Sequence, residues 1–587
     1  VRRIPRWPAA LVLLAALVVP IREAATAAPP SGSDGRSVIV QLFEWKWTDI
    51  AAECTNVLGP KGYGGVQISP PQENIVLPQR GYPWWQRYQA ISYQLESRSG
   101  TRAQFAAMVQ ACHSAGVKIY ADAVINHTAG TWPTDTRGSA GSPFTHYNYP
   151  GIYQTQDFHH CGRNDDIANW NDAWEVHNCE LVDLADLATE TEYVRNRLVA
   201  YLNDLISLGV DGFRIDAAKH MPPGDIAAIK SRLNGNPYLY QEVVYGAGEP
   251  VQPSQYRGNG DLIEFRYGQQ LGAAFRNGSL ASLQNLGNGF EPGDSSVVFV
   301  DNHDTQRAGA LTYKDGAVYT LANVFQLAWP FGTPVVMSSF SFTDNEAGPP
   351  SSSDGRTNDV TCGSGWVCEH RQGAIANMVG FRNAVGSAAV SNWWTNGSNQ
   401  VGFARGDRGY VVVNRDSAAL SRTFQTSLAA GTYCDVTRGE VRDGACTGPT
   451  VTVDGDGRFT ATVPAMSSLA IHHLAKVSSS PSPSPSPTAS ASVAVNVNAT
   501  VTTWYGQDVY LVGSIPALGS WNPANAKPLS SASYPVWKAT LELPPSTSFQ
   551  YKYVKKAPDG TITWESDPNR AATTPAGGTL ALTDTWR

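Results

Sequence analysis

Gly212-Phe213-Arg214-Ile215-Asp216-Ala217-Ala218-Lys219-His220 sets an arginine and an aspartate two residues apart at the end of an apolar run that starts at Val210. Alternate residues of a strand share a face, so Val210, Gly212, Arg214 and Asp216 are expected to line one side. A guanidinium beside a carboxylate favours its charged form, which predicts an ionised Asp216 with a lowered pKa, as a nucleophile needs. Two more runs end in carboxylates: Leu239-Tyr240-Gln241-Glu242-Val243-Val244 and Val297-Val298-Phe299-Val300-Asp301-Asn302-His303-Asp304. A fourth, Ile119-Tyr120-Ala121-Asp122-Ala123-Val124-Ile125-Asn126-His127, has the same apolar body and polar end. One such acid taken alone is as readily a helix cap or the partner of a surface arginine as a catalytic group. Three of them at strand ends fit the face where βα barrels carry their chemistry.

Working outward, short apolar runs recur at Val38–Leu42, Gly65–Ile68, Lys118–Val124, Val210–Ile215, Leu239–Val243, Leu262–Phe265, Val297–Val300 and Pro334–Met337, with helical stretches between them. Eight such alternations predict a closed (β/α)8 TIM barrel over residues 29–384. The interval 128–190 is polar and rich in Gly, Asn and Asp, too long for an ordinary βα connection, and reads as an irregular domain inserted after strand 3 as one wall of a cleft. From 385 to 477 alternating short strands such as Tyr410-Val411-Val412-Val413 predict an all-β domain. Residues 478–492 are a Ser-Pro repeat, an extended spacer without core-forming residues. Residues 493–587 return to β-type alternation rich in Trp and Tyr, a further β-sandwich module.

The chain has 587 residues, 42% apolar, with a formal charge of −7. Residues 1–28 join a basic start to an apolar run from Ala9 to Val19 and the string Ala25-Thr26-Ala27-Ala28, the pattern of a cleaved secretory signal peptide. Its removal takes away four arginines and one glutamate and leaves a formal charge of −10. Such a protein has no generic attraction for nucleic acid or anionic membrane. Eight cysteines in a secreted chain point to disulfides, and no CxxC pairing offers a zinc site.

The four strand-end segments, in this order, resemble the sequence regions of the alpha-amylase family of glycoside hydrolases. That resemblance implies Asp216 as nucleophile, Glu242 as acid/base and Asp304 as transition-state stabiliser, with Arg214 keeping Asp216 charged. It implies retaining hydrolysis, for which the two working carboxyl groups sit about 5–5.5 Å apart and Glu242 is protonated near neutral pH. Tyr82-Pro83-Trp84-Trp85-Gln86-Arg87-Tyr88-Gln89 matches the family's stacking stretch, making Trp84, Trp85 and Tyr88 platforms for glucose rings. Gln89, His127 and His303 become hydroxyl contacts, while Lys219 and His220 lie on the leaving-group side. A lone histidine is more often a core residue bonded to a backbone carbonyl; the position of each within these segments favours sugar contact.

The resemblance also implies a structural calcium on Asn126 and Asp186 and the backbone carbonyls of His177 and His220, with Asp186 in Leu184-Ala185-Asp186-Leu187. From the animal-like branch it implies disulfides Cys54–Cys112, Cys161–Cys179, Cys362–Cys368 and Cys434–Cys446. Two departures stand out. Chloride-binding members carry an arginine where Val335 precedes Val336-Met337-Ser338-Ser339, so the anion site looks incomplete despite Arg214 and Asn302, and chloride activation is not expected. Their Gly-rich mobile loop after His303-Asp304-Thr305-Gln306-Arg307 is absent, since Ala308-Gly309-Ala310-Leu311 runs straight on.

The tail resembles the starch-binding domain at the end of glucoamylases, through Tyr505-Gly506-Gln507-Asp508, Leu518-Gly519-Ser520-Trp521 and Trp564-Glu565-Ser566-Asp567-Pro568-Asn569-Arg570. By motif, Trp521, Lys552, Trp564 and Asn569 form one sugar site, and Tyr505 with Trp537 a second. Indole faces suit the CH-rich faces of pyranose rings. The expectation is a secreted, monomeric enzyme that cuts starch and related α-glucans internally. The alternatives are a maltooligosaccharide-forming relative or transglycosylase with the same acids, and a non-catalytic starch-binding protein, which retention of all three acids disfavours.

Overall fold

The computed structural model describes residues 35–162, 165–477, 493–504, 506–519, 521–557 and 561–587. The leader, the Ser-Pro spacer and Tyr505 lie outside them. They fall into two compact units that divide in the Ser-Pro stretch.

In the first unit eight parallel strands close a barrel in sequence order: β1 (Ile39–Leu42), β2 (Gly65–Ile68), β3 (Lys118–Ala123), β4 (Gly212–Ile215), β5 (Tyr238–Gln241), β6 (Asp261–Ile263), β7 (Ser296–Phe299) and β8 (Thr333–Ser338). Every residue of β4 is buried, as expected for a strand covered on both faces. Inside, Ile39, Tyr120, Tyr238, Tyr240, Ile263, Val297, Phe299 and Val335 pack as an apolar plug. Gly212 is required there, because a Cβ at this position would meet the Tyr238 carbonyl oxygen at 2.2 Å. Val210 precedes the strand and joins the outer core, so it does not share the inner face with Arg214 as the alternation suggested.

Register carries the polar ends to one level. Tyr120, Gly212 and Tyr238 are lateral partners, and two residues on so are Asp122, Arg214 and Tyr240. The ladder continues past the strands, with Asp216 N–H donating to Ala123 O and Glu242 N–H to Ile215 O. The described residues of segment 128–190 contribute a short α-helix, Ala173–Asn178, a 3-10 turn, Thr155–Asp157, and an aromatic core that includes Tyr149, Tyr153 and Phe158. The strands Val390–Thr395, Gln400–Arg405, Gly409–Asn414 and Ser467–His472 form the main sheet of the all-β region. All four disulfides have the pairing implied by the resemblance.

The second unit has one sheet of Ser530–Ser533, Val536–Leu543, Val493–Thr500 and Thr579–Thr585. A second sheet is centred on Asp508–Gly513 and Ser548–Lys556. Val495, Val497, Leu511, Phe549 and Tyr553 lie in the core of this unit.

Candidate active site

Arg214 organises the carboxylates at the end of the barrel. Its Nη1 donates to Asp122 Oδ1 at 2.7 Å and to Asp216 Oδ1 at 2.5 Å, and its Nη2 lies 2.9 Å from Glu242 Oε2. Immediately after Asp216 the backbone turns left-handed at Ala217 (φ 49°), and the Ala217 N–H donates to Glu242 Oε2 at 2.9 Å. One turn thus fixes both acids. Burial works against the charge on Arg214, but Asp122, Glu242 and Asp216 together hold it firmly protonated.

The carboxylates pay for their surroundings. Burial raises the pKa of Asp216, and the attraction of Arg214 only partly offsets it. This corrects the expectation of a lowered value: the arginine is present, but desolvation outweighs it. Glu242 is likewise raised, by burial and by the charge of Asp216, against the pull of Arg214. Asp304, partly open to the cleft, is raised by its low-dielectric surroundings and by Glu242. Burial pushes Asp122 up to about 7. Sequence reading did not single out Asp122, although it stands inside one of the four segments.

Burial disfavours the charged form of all three histidines of these segments. Burial takes His127 down to about 4 and His220 to about 3, and holds His303 well below its ordinary value. His127 Nε2 pairs with the Tyr88 carbonyl at 3.0 Å and stands 4.0 Å from Asp216 Oδ2. His303 is sandwiched between Phe43 and Tyr88, with Nδ1 2.9 Å from Gln41 Nε2 and Nε2 3.2 Å from Asp304 Oδ2. His220 Nδ1 meets the Val176 carbonyl at 3.2 Å, tying the inserted segment to the end of β4.

The aromatic stretch forms a 3-10 turn, Trp84–Tyr88, anchored by the buried Arg87–Glu44 pair at 2.8 Å. Tyr88 donates to Asp122 at 3.0 Å. Trp84 and Trp85 are half-buried, with indole N–H groups donating to Asn345 O and Glu346 respectively. Gln89 Oε1 accepts from Gly130 N–H and Trp132 Nε1, so that oxygen is engaged within the protein. Lys219 pairs with Glu249 and donates to Val244 O. Glu249 was not anticipated, having no motif to mark it.

Asn126 and Asp186 are both buried, and the Asp186 carboxylate accepts from the Asn126 side chain. Such a buried carboxylate and amide are hard oxygen donors of the kind calcium takes. The His177 ring itself points to Tyr256 Oη at 3.2 Å, and His159, unanticipated, pairs with Asp186 at 2.6 Å.

Around the expected anion position, Arg214 is the sole charged group among the described residues lining a void of about 10 Å³, with Gln41, Tyr240, Asn302 and Val335 among the others. Val335 belongs to the apolar plug and brings no second cation. After Asp304 the chain makes a single 3-10 turn, Thr305–Arg307, closed by Ala310 N–H on Thr305 O, which leaves no extended loop there.

In the second unit Trp521 packs against the cluster of Val512, Ala526 and Val554, and Trp564 is the lateral partner of Val554. Trp564 is 39% exposed. Lys552 Nζ pairs with Asp567 at 2.5 Å, and Asn569 Nδ2 donates to Gln550 at 2.9 Å. Trp537 corrects the sequence reading: it is buried in the core, with its indole N–H on Val501 O at 3.2 Å, and offers no open face. An alternating strand does not tell which of its aromatics turns inward.

A (β/α)8 barrel with three carboxylates and an arginine at the carboxyl ends of its strands, flanked by aromatic rings, defines a glycoside-cleaving enzyme. Residues 69–243 match the family described as "Alpha amylase, catalytic domain", 393–474 "Alpha amylase, C-terminal all-beta domain", and 491–584 "Starch binding domain". An alpha-amylase of Thermomonospora curvata is 49% identical over 99% of this chain and 98% of that protein. One of Streptomyces violaceus is 48% identical over 98% of each. The structure of a point mutant of alpha-amylase I from Eisenia fetida in complex with maltohexaose superposes with a TM-score of 0.72 at 41% identity, covering 76% of this chain and 98% of that one. The chain belongs to the alpha-amylase family of glycoside hydrolases. It is an enzyme of starch endo-hydrolysis with an appended starch-binding domain.

Proposed function

We propose that the barrel cleaves α-1,4-glucosidic bonds by double displacement with retention, Asp216 acting as nucleophile and Glu242 as acid and then base. The observation that supports this most is the single guanidinium shared by Asp216 and Glu242. Glu242, raised by burial and by the Asp216 charge, donates its proton to the leaving oxygen while Asp216 attacks the anomeric carbon. Once Asp216 is esterified its charge is gone and the repulsion that raised Glu242 is relieved; Glu242, having given its proton to the leaving oxygen, stays ionised and accepts a proton from the attacking water as general base. Asp304 faces the developing positive charge and grips sugar hydroxyls. Trp84, Trp85 and Tyr88 hold glucose rings on the glycone side, with His127 and His303 beside them, and Lys219 and His220 stand by the leaving group.

Alpha-amylases generally bind calcium. Asn126, Asp186 and the carbonyls of His177 and His220 would hold it, and the ion would brace the inserted segment against the turn that follows Asp216. In the tail, Trp521, Trp564, Lys552 and Asn569 form the starch site, with Trp521 in a left-handed conformation (φ 63°) of the kind found at ligand clamps. The protein acts outside the cell as a monomer. Four disulfides accord with that, and no helix among the described residues is long and apolar enough to cross a membrane.

The test is Asp216→Asn. Hydrolysis of soluble starch should fall by about 10⁴-fold or more, with granule binding retained; substantial residual turnover would remove Asp216 from its role.

A further inference from the structure

Trp132 lies outside every motif, yet the structure holds it on three sides. Its indole Nε1 donates to Gln89 Oε1 at 2.7 Å, and the same oxygen accepts from Gly130 N–H. The residue before it, Thr131, is clamped by Asp183, which accepts from the Thr131 N–H at 2.8 Å and from its hydroxyl at 3.0 Å. The ring is set against Trp85 with centroids 6.0 Å apart and planes 20° from parallel. That is an offset stack, which leaves part of each face uncovered. Both residues are half-buried, and both N–H edges are bonded within the protein, so what they present outward is apolar face. The guanidinium of Arg80, on an exposed side chain, stands over both rings, 5.8 Å from the Trp85 centroid and 5.2 Å from that of Trp132, so it covers part of the stack and brings donors for hydroxyl groups to its edge. Pro133, the residue after Trp132, and Gln79, the residue before Arg80, both line a cavity of about 830 Å³ whose other walls include Arg137 and Asp354–Arg356.

We propose that Trp132, with Arg80, forms an additional glucan-binding platform that extends the glycone side of the cleft past Trp85 by at least one glucosyl unit. This rests on the reading of Trp85 as a sugar platform. Apolar face, flanking donors and a fixed ring orientation are what a pyranose needs, and the preformed ring spares the ordering entropy a mobile side chain would lose. The consequence is a preference for long substrates, since a short oligosaccharide filling the sites next to the cleaved bond does not reach Trp132.

The experiment compares kcat/KM for maltoheptaose with that for a nitrophenyl maltotrioside in the full chain and in Trp132→Ala, Trp132→Phe and Trp85→Ala. For Trp132→Ala the long-to-short ratio should fall roughly 3- to 10-fold, the size of one aromatic stacking contact. Trp132→Phe, which keeps a ring but loses the bond to Gln89, should stay within about twofold of the parent ratio. Proportional loss on both substrates in Trp132→Ala, no change in its ratio, or a Trp132→Phe as impaired as Trp132→Ala would overturn the proposal. Trp85→Ala should lower kcat/KM on both substrates; that loss together with an unchanged ratio in Trp132→Ala sinks this proposal alone, and a Trp85→Ala that lowers neither substrate sinks the underlying reading.

Discussion

Nη2 of Arg214 lies 2.9 Å from Oε2 of Glu242. The same guanidinium donates to Asp216, so both proposed acids titrate under its influence. Because a cation favours the anionic form of each, removing it raises both pKa values. The acid limb of the kcat/KM profile follows loss of the nucleophile's proton and the alkaline limb loss of the acid's, so both limbs should move to higher pH.

In Arg214→Gln that displacement should be about one pH unit or more on each limb, alongside a fall in kcat/KM. Arg214→Lys, which keeps the charge, should move them less. Limbs that stay in place while activity falls would assign Arg214 to packing and not to charge.

How far the site could be read in advance depended on whether its parts are local. Arg214, Asp216, Glu242 and Asp304 end apolar runs, a pattern within a few residues of chain. Asp122 sits inside such a run, and its pairing with Arg214 depends on the lateral register of β3 and β4. The net rise of the Asp216 pKa needed the burial of the whole barrel end, which two adjacent residues do not disclose. Likewise Gln89 and Trp132 meet across 43 positions, and Gln89 alone reads as a free hydroxyl contact. Val335 was legible because a missing charge is visible in sequence. Trp537 was misread because burial of a strand aromatic is decided by the opposite sheet.

Calcium removal should lower melting temperature and activity together. On the proposed site the ion would bind the folded state and join the segment at Asn126 to that at Asp186, so thorough chelation should cost at least about 5 °C in Tm. Scanning calorimetry with and without chelator measures it, and re-addition should restore both properties. An Asp186→Asn variant should respond less to either treatment.

The tail should matter for granules and not for dissolved chains. Truncation after Val477, at the edge of the first compact unit, should leave soluble-starch activity within about twofold and cut granule digestion at least about tenfold, as tethering is lost. Trp521→Ala with Trp564→Ala should reproduce most of that loss in a folded tail. Sedimentation with granular starch and near-ultraviolet circular dichroism check the two halves of that statement.

The covalent step is the centre of the account, and Glu242→Gln exposes it. With a dinitrophenyl maltoside, whose leaving group needs no proton, the first displacement proceeds, while the second lacks its base and stalls. Peptide mass spectrometry of the quenched mixture should find the maltosyl group on the carboxylate of Asp216. An adduct on Asp304, or steady turnover to the inverted anomer with no adduct, would contradict it.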